Sequence, residues 1–344
     1  MVRQGNITGI NSHVGGHADR RHRMRGLAFK LASTFIFLLY AIIPTGVAIA
    51  QSPRTIIVVP TKAGGVYQQF LQAFRKSLTG SGSSADVEVV GYDRIDASFF
   101  NGKNASLVVT VGTAATQKVF DVNTTLPVLG TLVPRNSYRV LESRASRQGK
   151  KFARSTILLD QPITRHMGLI RKILPDKNMI SVVLGPDTRF LRPELTSAAE
   201  KKGMRIRIET MGYAQRLIDP LNRALEGTDA FIAVADGVVS NRQTVQNLLL
   251  TTYRQKVPVI GYSRAYVRAG ALAAVYSTPE QIGRQAGELV AGLVKSNRWL
   301  LPPSLYPKYF SVSVNRNVAR SLGIVMPEKG DIERSLRAEN GARS

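Results

Sequence analysis

The chain has 344 residues, 44% hydrophobic and 20% charged, enough for roughly two ordinary domains with real cores, which excludes a disordered or low-complexity protein. It contains no cysteine, which excludes disulfides, thiolate nucleophiles, zinc–cysteine and iron–sulfur centres, and a lipoprotein anchor. Lys and Arg outnumber Asp and Glu 47 to 23, a net charge of +24 that favours anionic partners but says nothing about fold.

The first element is an apolar run from Leu31 to Ile43, preceded by Arg20, Arg21, Arg23, Arg25 and Lys30. Pro44 and Gly46 break it, and Ala48-Ile49-Ala50 offers small residues at the spacing a signal peptidase accepts. At 13 residues it falls short of the roughly 20 that a membrane span needs. The expectation is a secretory signal cleaved after Ala50 and a periplasmic protein, with a retained N-terminal anchor as the alternative. After Ala50 the chain still carries 41 basic against 22 acidic residues, a net charge of +19. Outside the cytoplasm there is little nucleic acid to bind, so none is expected as a partner. The densest basic stretch, Arg144, Arg147, Lys150, Lys151 and Arg154, holds a single aromatic, Phe152, and no set of interleaved aromatics for stacking bases. It reads as a solvated loop between two lobes.

From Thr55 onward, short β-branched runs alternate with segments of helical period, the grammar of parallel α/β sheets. A strand at Thr55–Val59 leads to a helix from about Val66 to Leu78; VEVVGY, LVVTV with a helix from Ala114, and PVLGTLV follow. After the basic stretch the pattern restarts with STILLD, MISVVLG, RIRIET, DAFIAVAD, VPVIGY and ALAAVY. Near-continuous apolar strands imply sheets covered on both faces. Two successive units of this kind imply two Rossmann-like α/β lobes with parallel sheets flanked by helices and a cleft between them. The expected division is a signal peptide over 1–50, a first lobe over 51–160 plus 264–300, a second over 161–263 plus 301–330, and a C-terminal tail over 331–344.

No catalytic constellation emerges. Gly261-Tyr262-Ser263-Arg264-Ala265 approaches a nucleophile elbow, but Ala265 stands where glycine belongs and no histidine follows it. His166, the one histidine after Ala50, sits at the edge of an apolar helical face with no carboxylate at helical spacing, which makes it a helix-flank residue. One histidine and no cysteine leave no transition-metal site, and neither phosphate-binding nor dinucleotide glycine motifs occur. No enzyme activity, metal or cofactor is expected.

What recurs is a polar turn at the C-terminal ends of strands, where open parallel sheets bind ligands. The first holds Pro60-Thr61-Lys62; the second holds Gly112-Thr113-Ala114, whose backbone N–H groups can hold an anionic group, or Thr113 merely caps its helix. Others are Asp160-Gln161, Gly185 to Thr188 and Asp236-Gly237. Tyr262 and Tyr276 end the last two strands, as ligand walls or as lobe packing, and Thr278 to Gln281 forms a capping box. The expected ligand-binding set is Thr61, Thr113 and Ala114, Asp236 for a ligand cation, and Tyr262 and Tyr276 as walls.

The stretch from VPVIGYSRAYVRAGALAAVYSTPEQIGRQAGELVAGLV to VNRNVARSLGI resembles the substrate-binding proteins of ABC-type transporters, in the branch with the type I periplasmic-binding fold. LVVTVGTAAT and DAFIAVADGVVSNRQTVQNLL match the corresponding strand–turn–helix units, so the resemblance covers nearly all of 54–327. It implies two hinged lobes joined by three crossovers that close on a small solute. Delivery would be to an ABC permease in the inner membrane. Gly130 to Pro134 replaces the Asp-Pro common after the fourth strand of the family, leaving the ligand class open among small polar solutes, amino acids and related compounds included. The alternative role is a sensory subunit that presents the same cleft to a membrane receptor kinase. A monomer is expected.

Overall fold

The computed structural model describes residues 55–122 and 124–341. The apolar run at 31–43 and the Ala48–Ala50 site lie outside the described residues. Among the described residues no helix is long and apolar enough to cross a membrane.

The first sheet contains β1 (Thr55–Pro60), β2 (Asp86–Val89), β3 (Leu107–Val111), β4 (Val128–Val133) and β5 (Arg154–Leu158), all parallel in the order β2-β1-β3-β4-β5. Side chains alternate across a strand, and β1 shows why its whole run is apolar. Ile57 and Val59 join one core with helices α2 (Thr113–Asp121) and α3 (Arg135–Arg147). Ile56 and Val58 join another with α1 (Gly65–Gly80) and α9 (Pro279–Ser296). Two glycines let α9 lie directly on α1: a Cβ at Gly283 would meet the Phe70 carbonyl at 2.4 Å, and one at Gly287 the Phe74 carbonyl at 2.6 Å.

The second sheet contains β6 (Met179–Leu184), β7 (Arg205–Thr210), β8 (Ala230–Ile232), β9 (Val259–Gly261), β10 (Ala273–Tyr276) and β11 (Ser311–Val314). Its order is β11-β10-β9-β8-β6-β7, parallel except for β11 against β10. Ile180, Val182 and Leu184 pack under α4 (Ile163–Ile173) and α5 (Arg192–Glu200), and Val183 and Phe231 under α6 (Ile218–Leu225) and α7 (Val245–Arg254). The short helices α8 (Arg264–Ala269) and α10 (Arg316–Ser321) flank β10 and β11.

Three expectations change. Residues 264–276 belong with the second sheet, because β10 pairs with β9 and β11; the chain returns to the first lobe only at α9. The expected tail is helix α11 (Lys329–Gly341), whose Ile332 and Leu336 are buried in the second lobe's core. Its Glu339 pairs with Lys202 at 2.6 Å. The basic stretch does not link the lobes: Arg144 and Arg147 end α3, Arg154 opens β5, and Arg144 pairs with Asp121 at 3.1 Å, all within the first lobe. Helix α3 escaped the sequence reading because its buried residues are only Tyr138, Leu141 and Ala145 among nine polar or charged ones.

Three segments cross between the lobes: β5 to α4, β10 to α9, and the return from α9 to β11. The last adds a strand-like step at the sheet edge, where the Leu158 N–H donates to the Leu305 carbonyl at 2.9 Å and the Leu305 N–H to the Thr156 carbonyl at 2.8 Å. A chain of side-chain bonds laces all three. Gln161 Nε2 donates to Ser277 Oγ at 2.8 Å, and Ser277 Oγ donates to the Tyr309 carbonyl at 2.5 Å.

Candidate functional site

Beyond the C-terminal ends of β8, β9 and β10, the lobes enclose a cavity of about 250 Å³. The first lobe contributes Pro134, Arg135 and Asn136, where β4 hands over to α3, and the first crossover contributes Leu159 to Gln161. The second lobe contributes Ile163 and His166 from α4, Thr188, Phe190 and Leu191, and the strand ends Ile232 to Ala235, Tyr262-Ser263 and Tyr276-Ser277. Its walls are mostly apolar or aromatic, with a few polar groups: the usual composition of a small-molecule site.

The two lobes grip each other at its edge. Arg135, the first residue of α3, forms an ion pair with Glu194 of α5, and Tyr306 of the third crossover donates to Glu194 Oε1 at 3.2 Å. The Arg135 guanidinium lies 5.1 Å from the Phe190 ring centroid, and that of Arg139 lies 3.8 Å from it. A cation over an aromatic face is favourable, more so when partly desolvated. Asp160 supports this grip from the crossover, its Oδ2 accepting the Arg135 backbone N–H at 2.6 Å. Enclosure by protein raises the Asp160 pKa, outweighing the backbone bonds and the nearby arginine.

His166 is 5% exposed, with Nδ1 3.5 Å from the Pro162 carbonyl. Burial, with Arg165 beside it, pushes its pKa down to about 4, so it faces the cavity as a neutral imidazole. The folded protein refuses a proton that the unfolded chain accepts near pH 6.5. Stability from this group is therefore complete above pH 6.5 and lost as pH falls towards 4, by up to about 3 kcal/mol. Denaturant melts from pH 7 to 4 should show that loss in the wild type and a much flatter profile in His166→Gln. An unchanged slope in the variant would assign acid lability to other groups.

Residues 94–332 match the family model described as ABC transporter substrate binding protein, about two thirds of the chain. The chain belongs to this family. A search of curated proteins finds no match. Among solved structures, a conserved domain protein from Vibrio cholerae O1 biovar El Tor is 22% identical with a TM-score of 0.53, covering 83% of this chain and 98% of its own. A ligand-free, open substrate-binding protein with adhesive properties from Clostridium difficile is 17% identical with a TM-score of 0.63, covering 80% and 96%. A streptococcal ABC domain in complex with L-Trp is 15% identical with a TM-score of 0.54, covering 81% and 98%. These likenesses carry the fold, the two-lobed type I periplasmic-binding architecture.

In this substrate-binding protein, Tyr262 and Tyr276 stand in the cavity wall. The Tyr276 hydroxyl lies 2.9 Å from Ser313 Oγ, and Tyr262 donates to the Ser240 carbonyl at 3.4 Å. The other four expected residues are not among the cavity's lining residues. Asp236 is 2% exposed and turned into its own loop: Oδ1 accepts from the N–H groups of Val238 (2.8 Å) and Val239 (3.0 Å), and Oδ2 from the Thr188 hydroxyl (2.7 Å). Its position at a strand end suits a loop anchor because the chain must reverse there. Thr113 does not cap its helix. That task falls to Thr61 across the sheet, whose hydroxyl donates to the Val111 carbonyl and accepts the Ala115 N–H, both at 3.1 Å. Gly112, with φ 97°, precedes the helix; a Cβ there would stand 2.7 Å from Thr61 Oγ1. Thr113 is half-buried and Ala114 exposed.

Ser263, the serine of the near-elbow, accepts the Tyr266 N–H at 3.2 Å as a helix cap, and Thr278 forms the expected capping box with Gln281. Sequence reasoning missed Arg135 and Phe190 and read His166 as a helix-flank residue, whereas it is buried in the cavity wall. Asp160, Gln161 and Thr188 did carry a signal, since they lie in the polar strand-end turns. Arg135 and Phe190 carried none, because only the approach of the lobes brings them together.

Proposed function

We propose that this protein is an exported solute-binding protein that holds a small ligand in the interlobe cavity and delivers it to an ABC permease in the inner membrane. The observation that carries this reading is the cavity of about 250 Å³ between two lobes joined by three crossovers and held together by Arg135 and Glu194. Domain closure about such a hinge is how periplasmic binding proteins take up ligands. The ligand is a compact solute with an apolar or aromatic body against Phe190, Tyr262 and Tyr276 and polar ends near Arg135, Asn136, Asp160 and Ser263. Amino acids and related zwitterions fit that description. Thr61, Thr113 and Ala114 take part only if the first lobe closes further, and Asp236 acts from behind the site through Thr188. The protein works as a monomer, without a cofactor.

A thermal-shift screen of amino acids, purines, sugars and small anions tests the reading. A ligand at 100 times its Kd adds about 2.7 kcal/mol, and Tyr262→Ala should abolish the shift without unfolding the protein. A ligand whose shift survives Tyr262→Ala and Tyr276→Ala together would place the site elsewhere. Export has its own test. The mature protein should begin at Gln51, and N-terminal sequencing that finds Phe35 retained would contradict it.

A further inference from the structure

A second opening lies on the other side of the hinge. It is a groove of about 1180 Å³ bounded by α1 and α9 of the first lobe, the third crossover, and α4 and α11 of the second lobe. One hydrogen-bonded layer separates it from the interlobe cavity. Gln161 and Ser277 line the cavity, while their partners Arg165 and Tyr309 line the groove.

Arg165 is the unusual group in that layer. It is 6% exposed, yet it forms no ion pair among the described residues. Nη1 donates to Gln161 Oε1 and, at 3.0 Å, to the Pro307 carbonyl; the guanidinium lies 4.3 Å from the Phe310 ring centroid, and Nε has no partner. A buried cation without an anion is costly, and burial alone brings its pKa down to about 10. Other cations on the groove have anions of their own: Arg284 and Lys308 pair with Glu288, and Arg337 with Glu333. Lys76, from the first lobe, forms no ion pair among the described residues.

We propose that this groove is a second binding site, for a small solute bearing a phosphate or carboxylate, with the buried Arg165 as its main ligand and Lys76 as the contact from the facing lobe. The guanidinium has no anion of its own among the described residues and its Nε has no partner, so it can offer a donor to an oxyanion, and the groove is concave enough to admit a solute to a side chain that a flat surface would hide. An anion held there touches both lobes and the layer that borders the cavity.

The test titrates inorganic phosphate into the full chain, without any cavity ligand and at constant ionic strength, by calorimetry. Saturable binding is expected at millimolar phosphate or below. Arg165→Gln should weaken it about ten- to hundredfold, as for loss of a hydrogen bond to a charged group. Lys76→Ala should weaken it several-fold, and Lys295→Ala, at the far end of α9, should leave it unchanged. If Arg165→Gln does not fold, the exposed Lys76 decides the matter. No saturable binding, or equal binding by Lys76→Ala and wild type, would overturn the proposal. Binding to phosphatidylglycerol vesicles that depends on Arg165, with none to free phosphate, would also overturn it by assigning the groove to a membrane.

Discussion

Asp236→Ala is expected to melt far below the wild type, by about 3–5 kcal/mol, or on the order of 10 °C for a chain of this size. The substitution removes an acceptor from three donors at once: Thr188 Oγ1 and the N–H groups of Val238 and Val239. At 2% exposure there is no solvent to replace it, so each donor bears its desolvation cost. Asp236→Asn should recover most of the loss. Its amide oxygen still accepts from the two backbone groups, and its NH₂ can donate to the Thr188 hydroxyl, which rotates to accept. Gly185→Ala should destabilise for the same local reason, since a Cβ there would stand 2.2 Å from Asp236 Oδ1. Thermal melts of the three variants check this, and an Asp236→Ala melt within a degree or two of wild type would contradict the anchoring role.

Removing either half of the Arg135–Glu194 pair should open the cavity. Arg135→Ala loses the ion pair across the lobes and the guanidinium over Phe190. Truncating one partner of a largely desolvated charge pair costs about 2 kcal/mol or more, roughly thirtyfold in affinity, and the change falls mainly on dissociation. The pair is only partly enclosed, with side chains 28% and 30% exposed, so the lower end of that range applies. Glu194→Ala should do the same, and the double variant little more, because residues in one pair do not act additively. Stopped-flow dissociation of a ligand found by thermal shift reads this out. Small-angle scattering gives a ligand-free check: the radius of gyration should rise in both single variants. Wild-type dissociation rates in both would show that the pair does not hold the lobes.

The strands were legible because they are short, apolar and evenly punctuated. Leu107–Val111 and Arg205–Thr210 form where the sequence placed them, and Ile56 to Val59 could be read as doubly covered since no polar residue interrupts them. The sheet to which a strand belongs was less legible. Nothing local in Ala273–Tyr276 distinguishes pairing with β9 from a place in the first lobe; that is settled by β11 returning from residue 311 to pair with it. In the site, strand-end tyrosines were visible as residue types, but the orientation of Asp236 was not. A carboxylate at a strand end serves a ligand or its own loop, and only the positions of Thr188 and Val238 decide between them. Arg135, near-anonymous in a chain with 47 basic residues, acquires its role entirely from Glu194 on the other lobe.

The return of α9 to the first lobe bears on the order in which the chain can fold. Domains usually fold as they emerge, N-terminal first. Here Phe70 and Phe74 have no cover on one face of the first sheet until Ile282, Ala286 and Val290 arrive. The second lobe in turn waits for Ile332 and Leu336. One of the two cores of each lobe therefore closes only within the last fifth of the sequence, when α9 and α11 arrive. One face of the first sheet stays uncovered for most of synthesis. The last faces to be covered in both lobes, under α9 and α11, are expected to close late, after the rest of each sheet has been made.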